Sequence, residues 1–335
     1  MRRRTMIKSS ALFGLGALGT SIFSSCVQSN PQLLTSSQPL RVGVLQWFGC
    51  EGMFIADKKK LFATEGLNVA QKYFSTVTEL NDSLLSGKLD LAAMVATDLV
   101  ILTTKVPNIK TIMVTDYSGQ VDGILTSNKI TKPEDLRGKK IAREDVPYEI
   151  IFLGELLKLG GMTEKDVQIV SMTAEAGAAA FAAGKVDAVA TYDPFLTKAL
   201  KQRPDAKLLF SPQETSIIPN AIVAHGQVIA SRRNDVLAYL RSVEKGLKYS
   251  VANQQETNEL MSKWLGATTA EVADQRSKIN IFDIVKNKVV AFNRSSDLNL
   301  ESSVRSGGRI LLENGKIKQL GDAATLIDSS LIQSL

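Results

Sequence analysis

The sequence contains only one histidine and two cysteines in 335 residues, and this scarcity argues against several classes of enzyme. It has no CxxC pair, no HExxH and no glycine-rich phosphate loop, so the usual motifs for zinc, thiol-redox and nucleotide chemistry are missing. A Ser–His–Asp triad would have to use His225, which we expect to be a structural or rim residue. We therefore expect no enzyme activity, no metal and no cofactor.

A long apolar run is also missing at the N-terminus. The apolar segment Ala11–Phe23 is too short to span a bilayer as a stable helix, and it follows three arginines at residues 2–4. It ends in FSSC, which resembles a bacterial lipobox with phenylalanine where leucine is commoner. This pattern predicts a signal peptide over 1–25, lipidation of Cys26 and a flexible tether over 26–39. The run RRTMIK also resembles a twin-arginine signal, so the export route stays open.

The excess of positive charge is small once this segment is set aside. The formal net charge is +6, and residues 1–25 carry four positive charges and no acid, which leaves +2 for the remainder. A nucleic-acid partner therefore loses its main electrostatic support, and we expect none. If Cys26 is lipidated, Cys50 has no partner for an intrachain disulfide. An unpaired thiol is acceptable outside the cytoplasm if it is buried.

The remaining chain alternates strand-like and helix-like segments. Such alternation predicts βαβ units and mostly parallel sheets, here in two blocks joined by the segment around 120–130. From Ser231 onward the chain is mainly helical, with amphipathic spacing at Val236, Leu237, Leu240, Val243 and Leu247. The first block has predicted strands at 41–46, 67–74, 89–95 and 109–114 and helices at 52–62, 77–85 and 97–104. The second has strands at 139–142, 167–172 and 187–191 and helices at 149–158, 174–183 and 195–202.

Polar and aromatic residues recur where these strands end. Ligands of open α/β sheets bind outside the carboxyl ends of the strands, where free N–H groups of helix starts also lie. For Thr76, Asp98 and Asp193 plain helix capping is an equal alternative, and the two aromatic residues after the first strand could equally be core. The predicted ligand-binding residues are Trp47, Phe48, Glu51, Ser75, Thr76, Thr97, Asp98, Asp116, Ser118, Asp122, Tyr148, Glu149, Tyr192 and Asp193.

Three further segments make a family resemblance specific. WFGCEGMFIADKKKLFATEGLNV, KPEDLRGKKIA and AAAFAAGKVDAVATYDPFLTKAL resemble substrate-binding proteins of nitrate/sulfonate/taurine-type ABC importers, a family that also includes thiamine-pyrimidine binders. The resemblance covers roughly residues 40–335. It implies a two-lobed type II periplasmic-binding fold, with 40–122 and 226–335 as lobe one and 123–225 as lobe two. The stretch TDYSGQVDG, residues 115–123, then combines a binding rim with the first crossover, and the second crossover lies near 219–226.

The same resemblance implies a monomer on the periplasmic or cell-surface side of the cytoplasmic membrane, with ABC permease subunits and a small solute as partners. Predicted strand-end loops hold many acids but only Arg143 as a cation, and burying acids beside an anion is costly. A cationic or neutral nitrogen-bearing solute is thus favoured over nitrate or sulfonate, with aromatic residues available for cation–π contact. A pyrimidine-synthase-like enzyme and a solute sensor for a receptor are the alternatives.

Overall fold

The alternation of strands and helices folds into two separate β-sheets. A computed structural model describes residues 38–212 and 217–335, so the predicted signal, Cys26 and most of the tether lie outside the described residues. The strands are β1 (Leu40–Leu45), β2 (Val69–Phe74), β3 (Leu91–Val95), β4 (Ile109–Tyr117), β5 (Asp122–Ser127), β6 (Lys140–Arg143), β7 (Gln168–Ser171), β8 (Ala188–Tyr192), β9 (Ala206–Phe210), β10 (Pro219–His225) and β11 (Asn280–Ile281).

The helices cover the faces of these sheets and dominate the C-terminal part. They are α1 (Glu51–Lys58), α2 (Leu61–Thr64), α3 (Val77–Leu85), α4 (Leu99–Leu102), α5 (Pro147–Leu159), α6 (Ala174–Ala182), α7 (Phe195–Gln202), α8 (Gly226–Ser231), α9 (Arg233–Ala252), α10 (Gln254–Leu265), α11 (Thr269–Lys278), α12 (Ile284–Lys286), α13 (Leu300–Glu313) and α14 (Ser330–Gln333). Among the residues described, no helix combines the length and apolarity needed to cross a bilayer.

The first sheet has the strand order β11-β4-β10-β3-β1-β2. Strands β1, β2 and β3 pair in parallel, whereas β10 lies antiparallel between β3 and β4. Because β10 runs the opposite way, its first residues lie beside the carboxyl ends of its neighbours. Asn220 accordingly pairs with Val95 at the end of β3 and with Asp116 near the end of β4.

The second sheet has the order β7-β6-β8-β5-β9 and repeats this arrangement. Strands β6, β7 and β8 are parallel, and β5 runs antiparallel between β8 and β9. The first residue of β5, Asp122, therefore lies opposite Tyr192, the last residue of β8. In each sheet a crossover strand brings its amino end to the edge where the parallel strands end.

The α/β class and the two sheets are confirmed, and most strands of each sheet run in one direction as predicted. The stretch 115–123 differs from the prediction, because 115–117 complete β4 and 122–123 begin β5, so only 118–121 form the connection. The alternating run AIVAHGQVIA, residues 221–230, predicts a strand, but only its first half continues β10 and the rest belongs to α8. Strand β9 has no counterpart in the prediction. Sheet pairing also places 219–225 in the first sheet and Asp122 in the second, on the other side of the predicted lobe boundaries.

Helix α9 shows how the predicted amphipathic spacing is used. Val236, Leu240, Val243 and Leu247 are buried in or beside the core of the first sheet. The helix approaches α1 closely because both carry a glycine at the crossing: a Cβ on Gly246 would lie 2.2 Å from the carbonyl oxygen of Gly52. Burying this apolar face stabilises the packing of α9 on the first sheet by roughly 25 cal/mol per Å² of apolar surface removed from water.

Helix α13 packs against both sheets. Val304 belongs to an apolar cluster with residues of the first sheet, whereas Ile310 and Leu311 pack into the cluster around α5 of the second. The approach to α5 requires a glycine there, since a Cβ on Gly154 would lie 2.4 Å from a methyl carbon of Ile310. The C-terminal part is therefore not confined to one sheet.

Candidate functional site

A small cavity, called the chamber below, lies between the two sheets at their facing edges. Its volume is about 30 Å³, which is room for one or two water molecules. The first sheet and its loops contribute Leu45, Trp47, Val77, Val95 and Asn220, and the second contributes Asp122, Tyr148 and Tyr192, with Ile218 from the connection that precedes β10. The chamber forms where the carboxyl ends of β1, β3 and β8 meet the amino ends of β5 and β10.

Three aromatic side chains form much of the chamber wall. The rings of Trp47 and Tyr192 meet edge to face with centroids 6.2 Å apart, although they come from different sheets. Tyr148 stands in the first turn of α5 and is buried. Such rings can hold an apolar or cationic group against their faces, and a cation gains most where water is excluded.

Asp122 is the carboxylate that lines the chamber directly. Its Oδ2 accepts a short hydrogen bond from the hydroxyl of Ser118, and the side chain is buried. Burial raises the pKa of Asp122 to about 7, and the nearby charges of Asp116 and Asp193 add to this rise. The carboxyl group is therefore poised between its neutral and charged forms near neutral pH, which a cationic ligand would shift toward the charged form.

Asp116 lies behind the chamber wall and orients it. Its Oδ1 accepts hydrogen bonds from Asn220 Nδ2 at 2.8 Å and Trp47 Nε1 at 3.3 Å, and its Oδ2 accepts one from Thr115 Oγ1 at 2.9 Å. Burial raises the pKa of Asp116 to about 6, although these three donors oppose the rise. A Cβ on Gly49 would lie 1.8 Å from Asp116 Oδ2, so only glycine permits this approach.

A second buried acid, Glu149, adjoins the chamber from α5. Its Oε1 accepts a hydrogen bond from the hydroxyl of Tyr148 at 3.2 Å, and its Oε2 accepts one from the backbone N–H of Glu144 at 2.5 Å. Burial raises the pKa of Glu149 well above its ordinary value, and the charge of Glu144 adds to it. Acids thus approach the chamber from both sheets.

No basic side chain balances these acids at the chamber. None of the described residues that line it is a lysine, arginine or histidine. Arg143, the one cation predicted nearby, is occupied elsewhere: its guanidinium forms ion pairs with Glu164 at 2.9 Å and Asp145 at 3.2 Å. Unpaired buried carboxylates around a small aromatic chamber favour a positively charged or hydrogen-bond-donating occupant.

The structure brings together seven of the predicted binding residues. Four of them line the chamber, and three make hydrogen bonds to residues that line it. Those that line it are Trp47, Asp122, Tyr148 and Tyr192, and those that support it are Asp116, Ser118 and Glu149.

Other predicted residues lie away from the chamber. Glu51 forms a buried ion pair with Arg276, whose Nε lies 2.6 Å from Glu51 Oε2. Thr76 caps α3 by accepting a hydrogen bond from the backbone N–H of Glu79, which was the alternative role considered for it. Ser75 is exposed after β2, and buried Thr97 packs against Gly307 of α13.

Asp98 is buried near Asn81 of α3 and the start of α5, and it does not line the chamber. Among the described residues, neither of its carboxylate oxygens has a hydrogen bond of good geometry. Burial raises the pKa of Asp98 to about 8, opposed by the Asn81 amide and by the backbone N–H of Tyr148 at the start of α5. A residue next to the first sheet therefore faces the amino end of a helix next to the second.

Phe48 and Asp193 are buried and lie outside the chamber. Both border a larger groove between α7 and α11. Asp193 also caps α7, since its Oδ1 accepts a hydrogen bond from the backbone N–H of Thr197 at 2.8 Å. The capping role considered for Asp193 is thus present, and its side chain is buried at the edge of this groove rather than in the chamber.

Asn220 is the polar chamber residue that the sequence reasoning missed. It follows Pro219 at the start of β10, inside the segment expected to be the second crossover. The missing signal was strand direction. A crossover strand that runs against its neighbours presents its first residues, rather than its last, at the edge where ligands bind.

The single histidine and the free cysteine lie outside the chamber. His225 is the last residue of β10, five residues after Asn220, so it lies about 17 Å along the strand from the chamber. Its Nε2 lies 3.0 Å from the carbonyl oxygen of Leu84, a contact that fits the structural or rim role expected for it. Cys50 is buried and unpaired, and burial raises its thiol pKa well above the ordinary value.

Comparisons with known proteins give a consistent family and fold. The model of the NMT1/THI5-like family matches residues 47–257. A Brucella abortus protein named as a binding protein is 23% identical over 79% of this chain and 83% of its own length. The taurine-binding periplasmic protein of Escherichia coli is 25% identical over 53% of this chain and 55% of its own length.

Solved structures extend the similarity to nearly the whole described chain. The periplasmic aliphatic sulphonate binding protein SsuA from Escherichia coli superposes with a TM-score of 0.74 at 19% identity, covering 88% of this chain and 93% of that one. The fold also occurs in an enzyme: the desulfurization enzyme DSZB superposes with a TM-score of 0.59 at 12% identity, over 88% of this chain and 98% of its own. Identities this low establish the fold alone.

Proposed function

This chain belongs to the NMT1/THI5-like family, and on that premise we propose that it is an extracytoplasmic solute-binding protein of an ABC importer. It captures a small polar solute between two lobes and delivers it to a permease of the nitrate/sulfonate/taurine type. The names of a taurine-binding and a sulphonate-binding protein among its relatives support this class of importer. Finding genes for a permease and an ATPase next to the gene for this protein would favour an importer component over a sensor.

The observation that carries this proposal is the chamber itself. Its walls come from both sheets, so a solute held there contacts both lobes at once. The enzyme alternative needs a histidine in the cleft. The single histidine of the sequence, His225, lies at the other end of β10 from the chamber. Capture without chemistry is what these residues support best.

The charge of the chamber favours a cationic or neutral nitrogen-bearing solute over a sulfonate or nitrate. Asp122 and Glu149 carry no basic partner in hydrogen-bond contact among the described residues, and an anion beside them would meet like charge. A protonated amine would gain a charge-assisted contact to Asp122 and aromatic contact to Trp47 and Tyr192. Relatives at 19–25% identity need not share their ligand with this chain.

Closure of two lobes is the motion that we propose for capture. Sheet membership supports lobes of 40–117 with 219–335 and of 122–210, joined by the connections that follow β4 and β9. The chamber holds only one or two waters, so a solute enters only if the lobes separate. We expect small-angle scattering to give a smaller radius of gyration with solute than without it.

A thermal-shift screen of amines, pyrimidines, flavins, sulfonates, nitrate and bicarbonate identifies the solute to be used in the scattering experiment. A ligand present at 100 times its dissociation constant should add about 2.7 kcal/mol to the free energy of unfolding. The Trp47→Ala variant should lose this stabilisation, whereas Trp264→Phe, which changes the other tryptophan outside the chamber, should keep it. Equal stabilisation of both variants, or an unchanged radius of gyration, would contradict capture in the chamber.

Lipid anchoring at Cys26 is a further part of this proposal. The lipobox-like end of the N-terminal apolar segment supports it, and it would place the protein on the outer side of the cytoplasmic membrane. We expect radiolabelled palmitate to enter the wild type and to be absent from Cys26→Ser. Cys50→Ser is the matched control, because that buried thiol should not be acylated. Label that persists in Cys26→Ser would reject the anchor.

A further inference from the structure

A second and much larger space lies outside the chamber, between α7 and α11. This outer groove has a volume of about 740 Å³. Polar and charged residues are more than half of those that line it, and the apolar part of its lining includes Phe48, Pro194, Phe195, Ala267 and Ala270. An ion pair crosses it, with Lys201 Nζ lying 3.5 Å from Glu271 Oε1. The groove therefore runs along the seam between the two lobes.

Aromatic rings connect the outer groove with the chamber. Phe48 meets Trp47 at a centroid distance of 6.1 Å, Trp47 meets Tyr192 at 6.2 Å, and Tyr192 meets Phe195 at 5.7 Å. The two outer rings line the groove and the two inner rings line the chamber. The central contact joins different lobes, so it is the contact that separates when the lobes open.

The wall between the two spaces also carries polar groups. Asp193 borders the groove, yet its charge raises the pKa of Asp122 in the chamber, so the two spaces are electrostatically close. Gln275 lines the groove and is buried, and its Oε1 has no hydrogen-bond partner among the described residues. A buried acceptor of this kind costs stability unless a donor reaches it.

We propose that the outer groove is a second subsite, which binds an aromatic extension of the solute carrying a hydrogen-bond donor. This inference rests on the proposed function, since it places the nitrogen-bearing head of the same solute in the chamber. The chamber holds a group about as large as an ammonium and no more, whereas the groove accommodates a ring against Phe48 and Phe195. The linker between head and ring passes between Trp47 and Tyr192 at the lobe seam.

Two amines that share a head test the subsite by calorimetric titration. Ethylamine carries the head alone, whereas tyramine adds a phenol ring with a donor hydroxyl. We expect tyramine to bind the wild type about tenfold more tightly or better, because the ring removes apolar surface from water. Ala270→Trp fills the groove from an exposed helix position and should abolish this advantage while leaving ethylamine affinity unchanged. Ala273→Trp, exposed on the same helix outside the groove lining, should keep it.

The outcomes separate the subsite from the proposed function. Equal affinities of the two amines for the wild type, or a tyramine advantage that survives in Ala270→Trp, overturn the subsite. If neither amine binds, the nitrogen-bearing head is wrong, and 4-fluorophenol then decides by fluorine NMR. The ring subsite is supported if the 4-fluorophenol line broadens with the wild type and with Ala273→Trp but not with Ala270→Trp. It is overturned if the line broadens equally with all three proteins or with none of them.

Discussion

Replacing Asp122 with asparagine is expected to weaken binding of a cationic solute about thirtyfold or more. Asp122 is buried, lines the chamber and has no basic partner in contact among the described residues, so a cationic solute becomes its counter-charge. Removing one partner of a desolvated charged contact costs ~2–5 kcal/mol, at about 1.4 kcal/mol for each tenfold change in affinity. Calorimetric titration of the variant with the solute from the screen measures this loss.

A matched control and the pH dependence sharpen this test. Glu175→Gln makes the same change of charge at an exposed position on α6 and should leave affinity unchanged. Because the pKa of Asp122 is about 7 without solute, the carboxyl is protonated below that pH and must lose its proton when a cation binds. Wild-type affinity should therefore rise with pH up to about 7 and then level off, with Asp116, at about 6, contributing to the lower part of the rise. Tighter binding by Asp122→Asn would instead indicate an anionic solute.

Replacing Asp98 with asparagine is expected to stabilise the solute-free protein at alkaline pH by several kcal/mol. Burial raises the pKa of Asp98 from 3.8 to about 8, so the folded protein holds a proton there that the unfolded chain releases above about pH 4. Stability from this residue is fully present below that pH and falls by roughly 1.4 kcal/mol per pH unit until about pH 8. Asparagine cannot ionise, so the variant escapes this loss and keeps one carbonyl oxygen for the donors nearby.

Urea unfolding at pH 5, 6, 7 and 8 follows the difference between the two proteins. The advantage of Asp98→Asn should grow by about 4 kcal/mol between pH 5 and pH 8, from the same slope. Asp82→Asn, at an exposed position on α3, should show no such growth. An advantage that stays constant with pH, or a variant less stable than the wild type at pH 8, would reject the account of Asp98 as a buried acid held protonated.

Sequence patterns predicted the α/β alternation and about half of the candidate site. Trp47 and Tyr192 follow buried strands directly, and residues at the carboxyl ends of parallel strands are brought to one edge by the sheet itself. The spacing along α9 predicted its buried face in the same way, because a helical period depends only on local geometry. Signals of this kind need no knowledge of distant residues.

Glu51 and Asn220 show where such reasoning stops. Glu51 follows a strand end just as Trp47 does, yet Arg276, distant in sequence, approaches it and forms an ion pair. Asn220 enters the chamber only because β10 runs against its neighbours and pairs with both β3 and β4. Neither fact is a property of the residues around these positions, since both depend on which distant segments pack together.

By itself, the amino-acid sequence determined the class of fold, the polar strand ends and the low net charge of the chain beyond its N-terminal segment, because periodicity and composition are local or additive properties. Only the tertiary structure decided which acids lie at the chamber, which are paired elsewhere and where Asp98 is enclosed. Burial and strand direction make this selection: the same carboxyl group is a capping residue, an ion-pair partner or an unpaired buried acid, depending on the segments that close over it.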